Sequence, residues 1–305
     1  MALELTGMRV HTLSMARRAL RDIRRDNFRQ VRKYVDLCAL LSKGTGHKLF
    51  FERAQHILEK TDSLYYPLIQ RCIESVDETV ACTFGVNLGI DAMTFGARKM
   101  QLRAAAGQPL APWLTVARAA EPGLDILMQH REEKGQFFWV LHTCSEAERS
   151  RALLLADRHP KCAIALLSRP EQVTPALVEE LLRHPNVMLV LQMEQPEIDE
   201  ALCAATTLLQ RGKLFYGVTL ALDDESAAQI LETEWQSLLA QHSLCCVYTT
   251  SRMSSDAAAA LTETVWKQRM ATGALCLPLL WEADSSYISE RIAPGAWVEH
   301  RSAVL

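Results

Sequence analysis

Short apolar runs recur about every 25 residues between positions 113 and 280, and an amphipathic segment separates each run from the next. The runs begin at Trp113, Phe137, Cys162, Val187, Leu214, Leu244 and Leu275. Strands that are apolar along their whole length are buried on both faces, and parallel strands need long crossovers that are usually helical. The pattern therefore predicts an α/β fold, which we interpret as a partial parallel (β/α)6-type barrel preceded by an all-helical N-terminal region.

Composition and patterning divide the chain into three parts. Residues 1–106 are predicted to be helical, with residues 15–41 forming one amphipathic helix. Residues 106–112 contain glycine and proline and predict a linker, so residues 107–282 hold the barrel and residues 283–305 a truncated C-terminal extension. We interpret Gly85, Gly89 and Gly96 as positions where the helical region packs closely on the barrel.

The overall composition is that of an ordinary soluble protein, with 49% hydrophobic residues and a net charge of −3. No apolar run reaches the roughly 18 residues of a membrane span, and the first residues lack the pattern of a signal peptide. Nine cysteines are scattered without CxxC or similar spacing, which favours reduced thiols over disulfides and a local metal site. We therefore expect a cytoplasmic protein without a membrane or metal partner.

Positive charge is concentrated in one early stretch. Its basic residues are Arg17, Arg18, Arg21, Arg24, Arg25, Arg29, Arg32 and Lys33. Such a stretch can bind an acidic protein partner or nucleic-acid phosphates, or it can be a solvated helix face. No DNA-binding motif accompanies it, so we favour the protein partner or the solvated face over nucleic acid.

Several segments match the spacing of one protein family. Before the first predicted strand they are Phe51-Glu-Arg-Ala-Gln, Tyr65-Tyr-Pro-Leu-Ile, Phe84-Gly-Val-Asn-Leu-Gly, Gly96-Ala-Arg-Lys and Pro112-Trp. Later ones are His159-Pro-Lys-Cys-Ala-Ile-Ala-Leu-Leu-Ser, Leu181-Leu to Glu194, and Gly212-Lys-Leu-Phe-Tyr-Gly-Val-Thr-Leu. Over most of the chain from about residue 50, they resemble bacterial radical S-adenosylmethionine (SAM) proteins.

The resemblance implies an iron–sulfur cluster and S-adenosylmethionine, but the motifs that hold them are absent. The loop after the first strand, Arg118-Ala-Ala-Glu-Pro-Gly-Leu, lacks the family's CxxxCxxC cysteines, and thiolates are the ligands that such a cluster needs. His142-Thr-Cys-Ser-Glu stands where the family has Gly-Gly-Glu-Pro. The segment from Asp284 resembles the start of an auxiliary-cluster extension without its cysteine. We therefore predict neither cofactor.

The remaining candidate site is the end of the barrel where strands finish, since ligands of α/β folds bind there. His142, Cys144 and Glu146 follow the second strand and could include a Cys/His nucleophilic pair. Alternatively, Ser145 and the acidic residues after it form the start of a helix.

Four further residues at the ends of strands are candidate ligand contacts: Arg118, Ser168, Arg169 and Glu194. Arg169 and Glu194 could instead pair with each other across the mouth of the barrel. Arg118 could fill the space of the missing cluster loop or bind an anion.

Three functions remain open. The first is a cluster-less radical SAM-like pseudoenzyme that binds, regulates or scaffolds another protein, such as an intact relative or a second copy of itself. The second is an iron-independent enzyme or small-molecule binder that uses the barrel mouth. The third is a nucleic-acid-binding regulator that uses the arginine-rich stretch.

Overall fold

The computed structural model describes residues 2–41, 48–271 and 276–301, and it begins with a series of helices. These helices are α1 Ala2–Arg25, α2 Asn27–Leu41, α3 Lys48–Leu58, α4 Tyr65–Ser75, α5 Glu78–Val86 and, after a π-helical segment Asn87–Gly96, α6 Ala97–Ala105. The all-helical N-terminal region predicted from the sequence is therefore confirmed over the described residues.

Eight parallel strands form an open half-barrel. They are β1 Leu114–Arg118, β2 Phe138–His142, β3 Ala163–Ser168, β4 Val187–Met193, β5 Tyr216–Ala221, β6 Cys245–Thr249, β7 Leu277–Leu280 and β8 Val298–His300. Their order across the sheet is β7-β6-β5-β4-β3-β2-β1-β8. The predicted partial α/β barrel is confirmed, although it has eight strands instead of the six-unit type.

Helices between the strands cover the convex face of the sheet. They are α7 Leu124–Glu132, α8 Glu146–Arg158, α9 Pro175–Leu182, α10 Glu200–Arg211, α11 Ser226–Gln229, α12 Thr233–His242 and α13 Ser255–Ala271. Trp139, Leu166 and Leu189 pack toward these helices, whereas their strand neighbours Val140 and Val190 belong to a second core on the concave face. Burial on both faces explains why these strands are apolar along most of their length.

A last helix, α14 Trp281–Ile292, connects β7 at one edge of the sheet to β8 at the other. Ile288 and Ile292 pack in the core of the concave face, and Ser289 accepts a hydrogen bond from the indole N–H of Trp113 (2.8 Å). The described part of the predicted C-terminal extension thus completes the same sheet. Trp281 begins α14 and is half-buried against the same core.

Only one of the three glycines proposed for close packing has that role. A Cβ atom added to Gly96 would overlap the backbone carbonyl oxygen of Gly135, in the loop before β2. Added Cβ atoms at Gly85 and Gly89 would meet no atom within 4 Å. The prediction is therefore wrong for Gly85 and Gly89, because these two positions face open space.

The predicted single helix over residues 15–41 is broken at Asp26, where α1 ends and α2 begins. The hydroxyl of Tyr34 donates to the carboxylate of Asp22 (2.8 Å). In one straight helix these residues would be about 18 Å apart along the axis. The chain therefore turns sharply at Asp26 and folds α2 back toward α1.

One helical stretch, residues 78–105, is long and apolar enough by composition to cross a membrane. In this fold 44% of its most apolar window is buried. It packs beneath the sheet, with Phe84 and Met100 in the core of the concave face. A buried core helix of a globular domain has the same composition, so the stretch is weak evidence for a membrane span.

His159 links α7 to the loop before β3 through two carboxylates. Its Nδ1 lies 2.5 Å from Glu132 Oε1 and its Nε2 lies 3.0 Å from Asp125 Oδ1. Burial alone would lower the pKa of His159, but the hydrogen bonds to Glu132 and Asp125 outweigh it and raise the pKa above its usual value. The ring is therefore stabilised as an imidazolium that donates to both carboxylates.

The His159 link predicts a pH-dependent stability. Because the pKa is raised in the folded state, its contribution is fully present below the unfolded pKa of about 6.5 and is lost as the pH rises through the folded value. We expect His159→Gln to destabilise the chain most at acidic pH. Urea unfolding from about pH 5.5 to about pH 8.5 measures this. His56→Gln, at an exposed position, is the control. A His159→Gln deficit that stays constant or grows with pH would contradict this account.

Candidate functional site

The carboxyl ends of the strands form the open end of the half-barrel, because N-terminal helices cover the other end. The backbone N–H of Asp77 donates to the carbonyl of Lys213 just before β5 (2.7 Å). The guanidinium of Arg71 donates to the carbonyl of Ser243 just before β6 (3.0 Å). We call the carboxyl ends of β1–β6, with the residues that directly follow them, the barrel mouth.

The end of β2 and the start of α8 build the central part of the mouth. Ser145 caps α8 by accepting a hydrogen bond from the Glu148 N–H (3.3 Å). Glu148 turns back and accepts from the backbone N–H of Cys144 (2.7 Å) and from the guanidinium of Arg118 at the end of β1 (2.7 Å). The helix start thus fixes the backbone of Cys144 beside His142, the last residue of β2.

The predicted Cys/His pair is close in space. Cys144 Sγ lies 3.7 Å from His142 Nδ1, with the thiol exposed and the ring half-buried. Burial lowers the pKa of His142, and the positive charges of Arg118 and Arg169 lower it further. The side chain of Gln192 and the carboxylate of Glu148 act in the opposite direction, but the pKa stays below its usual value. The imidazole is consequently neutral at pH 7, which is the form that can accept a proton.

Arg118 is an exposed residue tied to Glu148. The structure therefore shows a third arrangement, beyond the two expected for this residue: a surface ion pair that links the end of β1 to α8. Such a pair contributes little to stability by itself, but Glu148 also holds the Cys144 backbone. Glu146 lies exposed in the first turn of α8 and is not joined to His142 or Cys144 by a hydrogen bond or ion pair in the described structure.

The other candidate residues at the ends of strands do not come together at one site. Ser168 is fully buried and donates to the side-chain oxygen of Gln172 (2.8 Å), so it faces away from the mouth. Arg169 is exposed near His142. No ion pair joins Arg169 to Glu194 among the described side chains. Ser168 pairs in register with Leu191, so β4 extends beyond β3 and carries Glu194 past the level of Arg169.

The residues at the mouth do not fit a four-iron cluster. Residues 119–123, between β1 and α7, contain no cysteine, and among the described residues no group of three His, Cys, Asp or Glu side chains could hold a metal ion. Cys144 lies at the mouth, whereas Cys162, Cys246 and Cys276 are buried at the opposite ends or within strands. The described residues at the mouth therefore do not supply the thiolates that the implied cluster would need.

Two mouth residues were not found from the sequence. Glu148 lies one helical turn beyond Cys144, a spacing that the pattern of a helix cap could have indicated. Gln192 is the only polar residue in the run of β4 before Met193, and alternation along β4 places it on the concave face with Val190. Its effect on the pKa of His142 depends on the strand order, which places β4 two strands from β2.

The arginine-rich stretch lies at the α1–α2 turn, away from the mouth. Arg21 and Arg24 pair with Glu78 at the start of α5 (2.8 and 3.4 Å). The six other basic side chains are exposed and form no ion pair within the described residues. They are Arg17, Arg18, Arg25, Arg29, Arg32 and Lys33, and we call them the basic corner.

Comparison with known proteins gives no family for this chain. No family model matches it, and no curated protein matches it. Among solved structures, a candidate alpha-L-fucosidase from Bacteroides thetaiotaomicron aligns with a TM-score of 0.41 and 9% identity, covering 63% of this chain and 85% of that one. A likeness this weak gives no function, and the resemblance to radical SAM proteins stays a prediction.

Proposed function

We propose that this chain is a cluster-less, radical SAM-like protein that works without iron chemistry by binding another protein through its basic corner. The observation that carries this proposal is the set of six exposed cationic side chains around one turn of the helical region, which form no ion pair with any residue that the structure describes. Charges that are not used to hold the fold together remain available to steer and orient a partner.

Apolar surface beside the basic corner favours a protein over a nucleic acid. Phe28, between Arg25 and Arg29 in the chain, is 45% exposed and stacks on Tyr66 (4.1 Å between centroids). It lines a depression of about 370 Å³ that also contains Pro67. Aromatic and arginine side chains together are typical of protein–protein hot spots.

Acidic residues within the same turn further disfavour a phosphate backbone. Asp22 bonds to Tyr34, Asp26 accepts from the Arg29 backbone N–H (3.2 Å), and Asp36 bonds to Gln55. These carboxylates lie among the basic side chains in the sequence, so they weaken the positive potential that a phosphate backbone would need. The expected partner is therefore a protein with an acidic surface that has an apolar projection, either an intact radical SAM relative or a second copy of this chain.

Site-specific photo-crosslinking in cells tests the proposal. A benzoyl-phenylalanine at Phe28 is expected to give one discrete protein adduct, and the same group at Ile126, exposed on α7, is expected to give none. The double variant Arg25→Glu/Arg29→Glu should reduce the adduct at least about tenfold, because charge reversal adds repulsion to lost attraction. Arg183→Glu/Arg211→Glu changes the net charge equally at exposed positions elsewhere and should leave the adduct unchanged.

The same variants distinguish nucleic acid from protein. Purified chain titrated with a duplex oligonucleotide is expected to show no binding at physiological salt. Tight binding that weakens steeply with salt and is lost in Arg25→Glu/Arg29→Glu would replace the proposed partner with nucleic acid. Equal crosslinking in both double variants would remove the basic corner as the docking surface.

A further inference from the structure

The barrel mouth holds a reactive-thiol arrangement that is independent of docking at the basic corner. Of the nine cysteines, Cys144 is the one that is exposed. Its Sγ faces His142 Nδ1 at 3.7 Å. A thiol and a neutral imidazole at this separation are within hydrogen-bonding distance for sulfur, which is the geometry of a nucleophile beside its base.

The surroundings of His142 fix its role. The side chain of Gln192 on β4 raises the pKa of the ring, and we assign it as a positioning residue. The charged groups around the ring are Arg118 on β1, Arg169 directly after β3 and Glu148 on α8. Burial keeps the pKa of His142 low, so the ring is free to accept the thiol proton at neutral pH.

The type of reaction follows from which backbone donors are free. Acyl transfer develops an oxyanion that needs preorganised N–H donors. The Cys144 N–H already donates to Glu148, and the Glu148 N–H donates to Ser145. Thiol–disulfide exchange keeps the developing charge on three sulfur atoms in line and needs no oxyanion donors. Because the N–H of the nucleophile's own residue is already taken up by Glu148, we favour exchange over acyl transfer.

The charge of the reaction partner follows from Arg169. Arg118 is held by Glu148, whereas the Arg169 guanidinium is exposed without an ion pair in the described part of the chain. We propose that Cys144 reacts by exchange with small anionic disulfides, with His142 as the base and Arg169 as the contact for the anionic group.

The exchange step balances without an external oxidant. His142 takes the proton of the Cys144 thiol, and the thiolate attacks one sulfur of the disulfide. A new S–S bond joins Cys144 to one half of the disulfide as the old S–S bond breaks. The other half leaves as a thiolate and takes the proton from His142. The product is a mixed disulfide at the mouth that a second small thiol reverses.

Rates of exchange with two small disulfides test the proposal: anionic dithiobis(nitrobenzoate), followed by absorbance, and cationic cystamine, followed by mass spectrometry. Both are measured on the full-length chain, with Cys144→Ser to subtract the other thiols. Arg169→Gln is expected to slow the anionic probe about fivefold and to speed the cationic probe, because it removes one nearby positive charge that attracts the first and repels the second. Equal effects on both probes, or none on either, would overturn the anionic preference.

The pH profile tests the role of His142. With a base beside the thiol, the rate should change little between about pH 6.5 and 8, whereas a thiol without one gains about tenfold per unit. We expect His142→Asn and His142→Gln to restore the steep profile, with folding checked by circular dichroism. Gln192→Leu should move the acidic limb to lower pH, since the Gln192 side chain raises the pKa of His142. A steep profile in the unaltered chain would overturn the assignment.

Discussion

Gly96→Ala is expected to lower the free energy of unfolding by about 3 kcal/mol, at the upper end of what overpacking costs. The added methyl group would overlap the Gly135 carbonyl oxygen and approach the Phe137 ring (3.2 Å). Gly135 cannot move aside easily, because its own φ of 103° is a conformation that L side chains rarely adopt. The π-helical segment would therefore have to separate from the loop before β2.

The matched control for Gly96→Ala is Gly89→Ala in the same segment, where an added methyl meets no atom within 4 Å. We expect its free energy of unfolding to stay within about 1 kcal/mol of that of the unaltered chain, since alanine is the better helix former. Urea unfolding followed by circular dichroism and by tryptophan fluorescence measures both. Equal stability of the two variants would show that this close approach does not hold the helical region to the barrel.

The strands could be predicted because burial on both faces requires continuous runs of apolar residues, which are visible in the sequence. Runs such as residues 187–191 are apolar throughout, and each of these runs contains or overlaps a strand. β8 has no such apolar run, because Val298–His300 is only three residues long and lies at an edge of the sheet, where none of them is fully buried. The turn at Asp26 was missed for a related reason, as no glycine or proline marks it.

The mouth was only partly predictable. Carboxyl ends of neighbouring parallel strands share one edge, which is why Arg118, His142 and Arg169 were each chosen as candidates. In the structure the charges of both arginines act on the His142 ring. The partnership of Arg169 with Glu194 failed because β4 extends past β3, and stagger between strands is not encoded by apolar runs. The spacing of Ser145 and Glu148 could have indicated the helix cap. The contact of Glu148 with Arg118 could not be predicted in this way, because it joins α8 to a different strand.

Arg9→Met is expected to destabilise the chain by about 3 kcal/mol. Arg9 pairs with Asp91 of the π-helical segment, donates to Asn87 (2.6 Å) and reaches the carbonyl of Pro160 before β3 (3.2 Å). The two charged side chains are only 18% and 12% exposed. Removing one partner leaves a carboxylate largely shielded from water, which costs more than the ion pair itself contributes.

The double variant Arg9→Met/Asp91→Asn separates these two effects. It removes both charges together, so we expect it to recover more than half of the stability lost in Arg9→Met. Hydrogen exchange should also show faster opening of α1 in Arg9→Met than of β2 and β3, because Arg9 ties α1 to the barrel. If the double variant were as unstable as Arg9→Met, the lost stability would come from the contacts with Asn87 and Pro160 and not from the unpaired carboxylate of Asp91. Since α1 carries part of the basic corner, loosening it should also weaken the Phe28 crosslink, which connects the fold to the proposed docking surface.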